Sequence, residues 1–174
     1  MTLKVVNTIH LPDVDFGESL LKPLDAETVN VFAQTEEELI ESCVDADAII
    51  CSGPVQPWTG RVIDTLSRCR IIASLAIGYD RIDLSRATDH GIVVTNIPDF
   101  CIDEVSTQAI ALILALNRQL FFVDREVREK QVRIVPPNRE VVRSIPYPVL
   151  RLRDTTVGIV GLGISLTVAV VKKR

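Results

Sequence analysis

The sequence predicts an α/β protein in which helices cover both faces of a parallel sheet. Over about the first hundred residues, short β-rich apolar segments alternate with segments that carry helix-capping signals, as successive βαβ units require. Val, Ile, Leu and Ala supply most of the 47% apolar content, whereas aromatic residues make up only 5%. Such a composition is typical of parallel strands that are buried on both faces.

Turn and breaker residues delimit the strand candidates. The first candidate precedes a His-Leu-Pro-Asp turn, and the third is broken by Gly53-Pro54. The order of the strands cannot be read from the sequence, but a flavodoxin-like doubly wound sheet is the expected arrangement. The candidates are Leu3–Ile9, Asn30–Ala33, Ala46–Ser52, Arg70–Leu75 and Ile92–Thr95.

Local capping patterns place helices between these strands. Thr35 and Glu38 form a capping box that opens a helix reaching to about residue 43. A second helix is expected over Thr59–Leu66, opened by its threonine. A third runs over Asp83–His90, and Gly91 suits the left-handed residue that commonly follows the end of a helix.

A segment without any charged residue runs from Val105 to Asn117. Apolar residues recur at spacings of three and four from Val105 to Val127, and Ile113 and Leu114 make further faces apolar. A helix that is apolar on several faces is buried between bodies. We therefore expect a long apolar interdomain helix and self-association through residues 105–117. An ordinary core helix is the alternative.

Charge and cysteine patterns exclude several classes of protein. Residues 118–153 hold nine Lys/Arg against four Asp/Glu, which fits a solvated helix face and a connector better than a nucleic-acid-binding arm. The start of the chain lacks the apolar core and cleavage site of a signal peptide. The cysteines form no C-x-x-C pair, so we expect no metal site and buried, reduced thiols in a cytoplasmic protein. They are Cys43, Cys51, Cys69 and Cys101.

Three motifs occur in an order that resembles the D-isomer-specific 2-hydroxyacid dehydrogenase family. They are RIIASLAIGYDRID over 70–83, GIVVTNIPDFCIDEV over 91–105 and LRDTTVGIVGLG over 152–163. The resemblance spans roughly residues 46–163. It implies hydride transfer between a nicotinamide and a small 2-hydroxy or 2-keto acid, with NAD or NADP as the cofactor.

The first motif predicts an anion-binding loop. A strand ending at Leu75 delivers Ala76, Ile77 and Gly78 to the carboxyl edge of the sheet, where α/β proteins bind ligands. The resemblance implies that these three residues hold the substrate carboxylate and that Ile77 borders the nicotinamide; the family usually has glycine at the position of Ala76. A plain strand-to-helix turn is the alternative. Ser52 faces the same edge, either as a substrate contact or as a turn-capping hydroxyl.

The third motif begins a dinucleotide-binding turn. Gly161 and Gly163 follow a strand predicted over Thr156–Val160, as in the glycine-rich turn that receives a pyrophosphate. Leu166 stands where a third glycine is expected and is too large for close packing of helix on strand. The resemblance places Thr107 near the cofactor, although a hydroxyl bonded back to its own helix is the alternative. We expect dinucleotide binding by this chain to be weak or absent.

No catalytic residue is predicted. The resemblance implies an Arg and a Glu-oriented His that lie beyond residue 174, and we expect His10 and His90 to be structural or solvated. The expected domains are 1–102 for substrate, 103–153 as interdomain helix and connector, and 154–174 as a truncated start of the NAD(P)-binding domain. We therefore expect an N-terminal part of such an enzyme that is inactive alone.

Two other functions fit parts of the sequence. One is a non-catalytic, NAD-linked binding or co-regulatory module. The other is a membrane anchor over 155–171, which carries no charge and precedes Lys-Lys-Arg. As a helix this segment spans about 26 Å at ~1.5 Å per residue, against a hydrocarbon core of ~30 Å. A strand and turn around Gly161 suit the segment better, so we expect neither a membrane nor a nucleic acid as a partner.

Overall fold

The computed structural model describes residues 2–9, 17–130, 151–161 and 163. The chain divides into two compact units, Met1–Phe100 and Cys101–Arg174. The boundary at residue 153, between the connector and the start of the NAD(P)-binding domain, stays a prediction. The helices are α1 (Glu18–Leu21), α2 (Glu36–Cys43), α3 (Gly60–Ile63), α4 (Leu84–Asp89), α5 (Ile102–Asn117) and α6 (Leu120–Lys130), with short 3-10 turns at Lys22–Leu24 and Leu152–Asp154.

The first unit contains one sheet with parallel pairing throughout. Its strands are β1 (Leu3–Asn7), β2 (Ala26–Asn30), β3 (Ala48–Cys51), β4 (Ile71–Ser74) and β5 (Val93–Thr95). They lie in the order β2-β1-β3-β4-β5, which is the flavodoxin-like order. The expected doubly wound α/β fold is therefore confirmed.

The core of this unit lies mainly on one face of the central strands, since buried and part-buried residues alternate along β3 and β4. Ile49 pairs in register with Val6 on one side and with Ile72 on the other, and all three side chains are buried. Apolar residues of the flanking helices and loops close over this layer and remove it from water. They include Leu39, Cys43, Trp58, Val62, Ile63, Leu66 and Ala87.

The capping patterns are confirmed at two of the three helices. Thr35 Oγ1 accepts from the backbone N–H of Glu38 at 3.3 Å, and the Glu38 carboxylate accepts from the N–H of Thr35 at 3.1 Å. Asp83 accepts from the N–H of Arg86 at the start of α4, and Gly91 has φ of 69° beyond its end. Because these signals depend on residues a few positions apart, they can be read locally.

The predicted second strand was misplaced. We expected Asn30–Ala33, but β2 occupies Ala26–Asn30, and Phe32 forms only an isolated antiparallel bridge with Ile9. β2 is an edge strand that pairs with β1 alone, and none of its residues is fully buried. It therefore lacks the apolar run by which a buried strand is recognised.

The helix after Thr59 is shorter than the pattern predicted. α3 ends at Ile63 rather than Leu66, and the Thr59 side chain makes no capping bond. The Thr59 hydroxyl instead donates to the Glu36 carboxylate of α2 at 2.8 Å. A long-range partner has therefore replaced the local cap that the sequence suggested.

Three of the four cysteines are buried, as expected for reduced core thiols. All four are free, and Cys101 is half-buried. Burial raises the pKa of the Cys43 and Cys51 thiols to about 12 and that of the Cys69 thiol to about 11. These side chains act as small apolar core residues at neutral pH.

The apolar helix predicted over 105–117 lies within α5, but the apolar pattern that follows it does not continue the same helix. The apolar pattern continued to Val127, but α5 ends at Asn117 and meets α6 at a bend of 61°. Gln119 adopts φ of 56°, and its N–H donates to the carbonyl of Leu116. This tight left-handed turn ends α5 in the manner of a C-terminal cap.

No strand forms over the described residues that follow 154. The strand predicted over Thr156–Val160 is irregular backbone, and Val160 is fully exposed. A β-strand needs a hydrogen-bonded neighbour, and the described part of the second unit offers none. The proposed anchor over 155–171 lies partly outside the described residues, and its described part is not helical.

Membrane-spanning potential is limited in the described part of the chain. No single helix there is long and apolar enough to cross a membrane. Only Ile102–Asn117 and Leu120–Glu129, taken together as a bent pair, meet the requirements of length and composition.

Candidate functional site

Three loops meet at the carboxyl edge of the sheet in the first unit. They follow β3, β4 and β5, and we call them the β3 loop (52–57), the β4 loop (75–80) and the β5 loop (96–98). The N–H of Leu75 donates to the carbonyl of Cys51 at 2.8 Å, which brings the β4 loop alongside the β3 loop. The predicted substrate residues Ser52, Ala76, Ile77 and Gly78 therefore share one edge.

The β4 loop turns its carbonyl groups toward the β5 loop. The Ala76 carbonyl accepts from the N–H of Ile97 at 3.2 Å, and the Ile77 carbonyl accepts from Asn96 Nδ2 at 2.8 Å. The peptide units are trans, so each carbonyl points opposite to the N–H of the following residue. The N–H groups of Ile77 and Gly78 are consequently directed away from the β5 loop.

These N–H groups are available to a ligand. Among the described residues, the N–H groups of Ala76, Ile77 and Gly78 have no acceptor. Ala76 and Gly78 are half-buried, whereas the Ile77 side chain is 38% exposed. Successive unpaired backbone donors form a concave site that favours an anion. The loop can therefore receive a carboxylate.

The β3 loop adds a hydroxyl at the same edge. Both main-chain polar groups of Ser52 are hydrogen-bonded within the protein. Its N–H donates to Gln56 Oε1 at 3.1 Å, and its carbonyl accepts from the backbone N–H groups of Val55 and Gln56. The Ser52 hydroxyl has no partner among the described residues, and the residue is half-buried. A hydroxyl can donate to an oxygen or accept from a proton donor.

The β3 and β4 loops are packed closely against one another. The N–H of Gly53 donates to Ser74 Oγ at 3.1 Å, and a Cβ at Gly53 would lie 2.9 Å from the Gly78 carbonyl oxygen. The exposed guanidinium of Arg81, the residue that follows the β4 loop, donates to the Val55 carbonyl of the β3 loop. Glycine at position 53 is therefore required by the close approach of the two loops.

Asp80 belongs to the β4 loop, and its Oδ2 would lie 3.2 Å from a Cβ at Gly78, whereas the histidine and its partners lie apart from these loops. His90 Nε2 lies 2.8 Å from Asp64 Oδ1 at the end of α4, and Arg86 binds the same carboxylate at 2.7 Å. The Arg86 and His90 bonds hold the pKa of Asp64 below its usual range. His10 lies outside the described residues. No group of three side chains in the described part of the chain could hold a metal ion.

The predicted cofactor residues that the structure describes in the second unit are Thr107, Gly161 and Gly163. The exposed Thr107 hydroxyl donates back to the carbonyl of Asp103 at 2.7 Å. Gly161 has φ of 96°, but an added Cβ at Gly163 would meet nothing within 4 Å. In the described residues the backbone that leads into this glycine turn is irregular, and the helix of a pyrophosphate site would begin beyond them. Leu166 lies outside the described residues.

Two features of the site escaped sequence reasoning. Asn96 belongs to the motif over 91–105, but its amide bond to the Ile77 carbonyl was not predicted. Gln56 was not singled out, although its side chain fixes Ser52. Neither residue carries a local signal, because each bond joins loops that are brought together only by the order of the strands.

The fold defines a class: a doubly wound α/β domain in which the β3, β4 and β5 loops meet at the carboxyl edge of the sheet. The profile of the family described as D-isomer specific 2-hydroxyacid dehydrogenase, catalytic domain, matches residues 8–135. The chain belongs to this family.

Individual relatives agree with this assignment. A glyoxylate reductase from Pyrococcus horikoshii is 37% identical over 167 residues, covering 94% of this chain and 48% of that protein. A glyoxylate reductase from Korarchaeum cryptofilum is 33% identical over 129 residues, covering 74% of this chain and 37% of that protein. The chain thus spans less than half the length of these two curated relatives.

A solved structure supports the fold. An acyclic imino acid reductase in complex with NADPH and D-Arg aligns with a TM-score of 0.73 at 24% identity. The alignment covers 96% of this chain and 51% of that chain.

Proposed function

We propose that this chain carries the substrate-carboxylate site of an NAD(P)-dependent 2-hydroxyacid dehydrogenase of the glyoxylate reductase type. The observation that carries the proposal is the β4 loop, where unpaired N–H groups follow carbonyls fixed by the β5 loop. The reaction proposed for the whole protein is hydride transfer between a nicotinamide and a small 2-hydroxy or 2-keto acid. Family membership and the identity to glyoxylate reductases support it.

In this proposal the loops bind and orient the acid. The carboxylate accepts hydrogen bonds from the N–H groups of Ala76, Ile77 and Gly78, and such bonds to an ionised acceptor are about twice as strong as neutral ones. Ser52 donates its hydroxyl to the same ligand. The part-exposed Ile77 side chain supplies an apolar surface beside it, suited to border the nicotinamide.

Proton transfer is not assigned to these residues. Reduction of a 2-keto acid needs a general acid near the substrate oxygen. The loops contain no histidine, and the imidazole of His90 is engaged by Asp64 in the described structure. We propose that the chain alone binds the acid without turning it over. We also propose that this chain binds NAD or NADP weakly or not at all, because Leu166 stands where the dinucleotide turn expects a glycine. In the whole protein, Thr107, Gly161 and Gly163 are proposed to lie on the cofactor side.

The binding proposal is tested by titrating the ¹⁵N-labelled chain with glycolate and, separately, with its neutral analogue glycolamide. Both ligands carry the same hydroxymethyl group, so they differ at the group that the β4 loop receives. We expect saturable shifts of the Ala76, Ile77 and Gly78 amide resonances with glycolate only. Equal responses to both ligands, or no saturation with glycolate, would overturn the proposal.

We also propose that α5 associates with a second copy of the chain. Large apolar side chains of α5 and the start of α6 are exposed in the described structure, and Val105, Ala109 and Leu112 line a groove of about 500 Å³ along α5. Contiguous exposed apolar surface of this kind marks interaction sites. The exposed residues are Val105, Leu112, Leu114, Leu116, Leu120 and Phe121.

A further inference from the structure

The crevice where a doubly wound sheet ordinarily binds its ligand is filled by a glutamine. The strand order reverses between β1 and β3, and ligands bind outside the carboxyl ends of the strands at that switch point. Gln56 of the β3 loop folds back into this position and is 1% exposed. Its backbone N–H and that of Val55 both donate to the Ser52 carbonyl, which makes the turn that returns the side chain.

The carboxamide of Gln56 joins the loops that follow three strands. Its Nε2 donates to the carbonyls of Thr8 after β1, at 3.1 Å, and Ala33 after β2, at 2.6 Å. Its Oε1 accepts from the N–H of Ser52 after β3 at 3.1 Å and lies 2.9 Å from the Thr8 hydroxyl, whose one proton is shared with the Ile50 carbonyl at 3.0 Å. Both ends of the amide are therefore saturated.

The partners also fix which way the amide points. Two main-chain carbonyls require a donor at one end, and a main-chain N–H requires an acceptor at the other. Glutamate has no donor when it is ionised, and methionine has neither a donor nor a strong acceptor. Neither side chain can therefore form hydrogen bonds with all three main-chain partners of Gln56.

The amide is connected to the carboxylate-binding loop through two residues. Gln56 holds the N–H of Ser52, and the next residue, Gly53, lies directly against the Gly78 carbonyl. The β5 loop holds the other side of the β4 loop through Asn96. Because the Ser52 N–H is already used, Ser52 can offer only its hydroxyl to a ligand.

We infer that Gln56 is a positioning residue for the substrate site. It closes the switch-point crevice and, through Ser52 and Gly53, sets the β3 loop against the β4 loop, so that the acid binds one strand away from the usual crevice. The inference rests on the proposed function, since it assumes that the β4 loop binds a carboxylate.

The test compares glycolate affinity by NMR titration in the wild-type chain and in Gln56→Met. For Gln56→Met we expect a dissociation constant at least tenfold larger than that of the wild type. The Ser52, Gly53 and Gly78 amide resonances of the variant should also be shifted before ligand is added. Gln34→Met is the matched control, because Gln34 donates to the same Ala33 carbonyl from an exposed position and does not contact Ser52. Its affinity should equal that of the wild type.

Two further variants separate positioning from general stability. Leu39→Ala opens the buried core at α2, outside the residues of the three loops, and it should lower the melting temperature without changing glycolate affinity. Thr8→Val removes the hydroxyl that Oε1 shares with the Ile50 carbonyl, and it should give an intermediate loss of affinity even if Gln56→Met fails to fold. Wild-type affinity in folded Gln56→Met, or in Thr8→Val, overturns this inference alone. Absence of glycolate binding to the wild type overturns the proposed function and this inference with it.

Discussion

The side-chain amide of Asn96 donates to the main-chain carbonyl of Ile77 over 2.8 Å. Asn96 follows β5 and Ile77 follows β4, so this bond joins two neighbouring loops at the carboxyl edge of the sheet. Within a trans peptide, fixing the Ile77 carbonyl also fixes the direction of the Gly78 N–H. A residue that need not touch the ligand thereby orients one of its proposed donors.

Replacement of Asn96 by alanine should weaken glycolate binding. A hydrogen bond contributes about 0.5–1.5 kcal/mol net, and a tenfold change in affinity corresponds to about 1.4 kcal/mol, so we expect a loss of about three- to tenfold. NMR titration measures the dissociation constant. Thr88→Val is a control, because it removes another side-chain bond to a carbonyl, that of Leu84, within α4. Unchanged affinity in Asn96→Ala would show that the Ile77 peptide keeps its direction without the amide.

The substitution Gly53→Ala, which adds a methyl group at this position, should destabilise the first unit. The new Cβ would lie 2.7 Å from Ser74 Oγ and 2.9 Å from the Gly78 carbonyl oxygen, so the loops must separate. Overpacking typically costs about 1–3 kcal/mol, and each kcal/mol lowers the melting temperature of a chain of this size by about 2–4 °C. Gly158→Ala is the control, since a Cβ there meets nothing within 4 Å. Calorimetry that finds equal melting temperatures for Gly53→Ala and Gly158→Ala would contradict the close packing.

The sequence was sufficient for those parts of the fold that depend on neighbouring residues. The capping box of Thr35 and Glu38 and the left-handed Gly91 lie where their spacing predicts. The buried strands β3 and β4 were found because their apolar runs end at glycine or small residues. The loop at Ala76–Gly78 was recognised from a motif and from its place after β4.

Features that depend on residues distant in the chain could not be predicted from local sequence patterns. The edge strand β2 has no apolar run, and the break at Gln119 interrupts an apolar pattern that continues on both sides. The bonds of Asn96 and Gln56 join loops that are 19 and up to 48 residues apart in the chain. Strand order brings those loops together, and strand order was not available from the sequence.

Acid should remove the contribution of Asp47 to stability. The backbone N–H of Lys4 donates to this carboxylate, Arg68 binds both of its oxygens, and these bonds lower its pKa from the ordinary 3.8. A lowered pKa stabilises the fold above the unfolded value, and the stabilisation is lost as the pH falls through the folded value. Asp47→Asn should therefore melt below the wild type at pH 7, and the difference should shrink as the pH falls below about 4.

Urea unfolding of both proteins between pH 2 and pH 7 measures this effect. Glu41→Gln serves as the control, because Glu41 is exposed and makes no ion pair in the described part of the chain. A difference between wild type and Asp47→Asn that stays constant below pH 4 would contradict a lowered pKa for Asp47 in the folded chain.

Thiol reagents should distinguish Cys101 from the other cysteines in the folded chain. The pKa of Cys43 and Cys51 is raised to about 12 by burial, which leaves roughly one thiolate in ten thousand at pH 8. Cys101 is half-buried at the start of α5 and can be reached by the reagent. Labelling with iodoacetamide followed by peptide mass spectrometry should modify Cys101 first. Cys101→Ser should abolish the fast phase, and rapid labelling of Cys43 or Cys51 in the folded protein would contradict the packing of the core.

Substitution of Leu116 by lysine should weaken self-association through α5. The Leu116 side chain is 66% exposed in the described structure, and a symmetric dimer would bury it once in each copy. Full burial of a leucine is worth about 1.5–3 kcal/mol, so the loss from two copies should raise the dimer dissociation constant by at least about tenfold.

The control is another exposed leucine given the same charge. Leu20 in α1 is 77% exposed and belongs to the first unit. Leu20→Lys therefore makes the same change in net charge as Leu116→Lys, and it also removes an exposed leucine, but it leaves the sequence of α5 unchanged. Sedimentation equilibrium over a range of concentrations should show wild type and Leu20→Lys with the same dimer dissociation constant, and Leu116→Lys shifted toward monomer. A monomeric wild type at every concentration would exclude association through α5. An equal shift in both variants would mean that net charge, rather than the apolar face of this helix, controls the assembly.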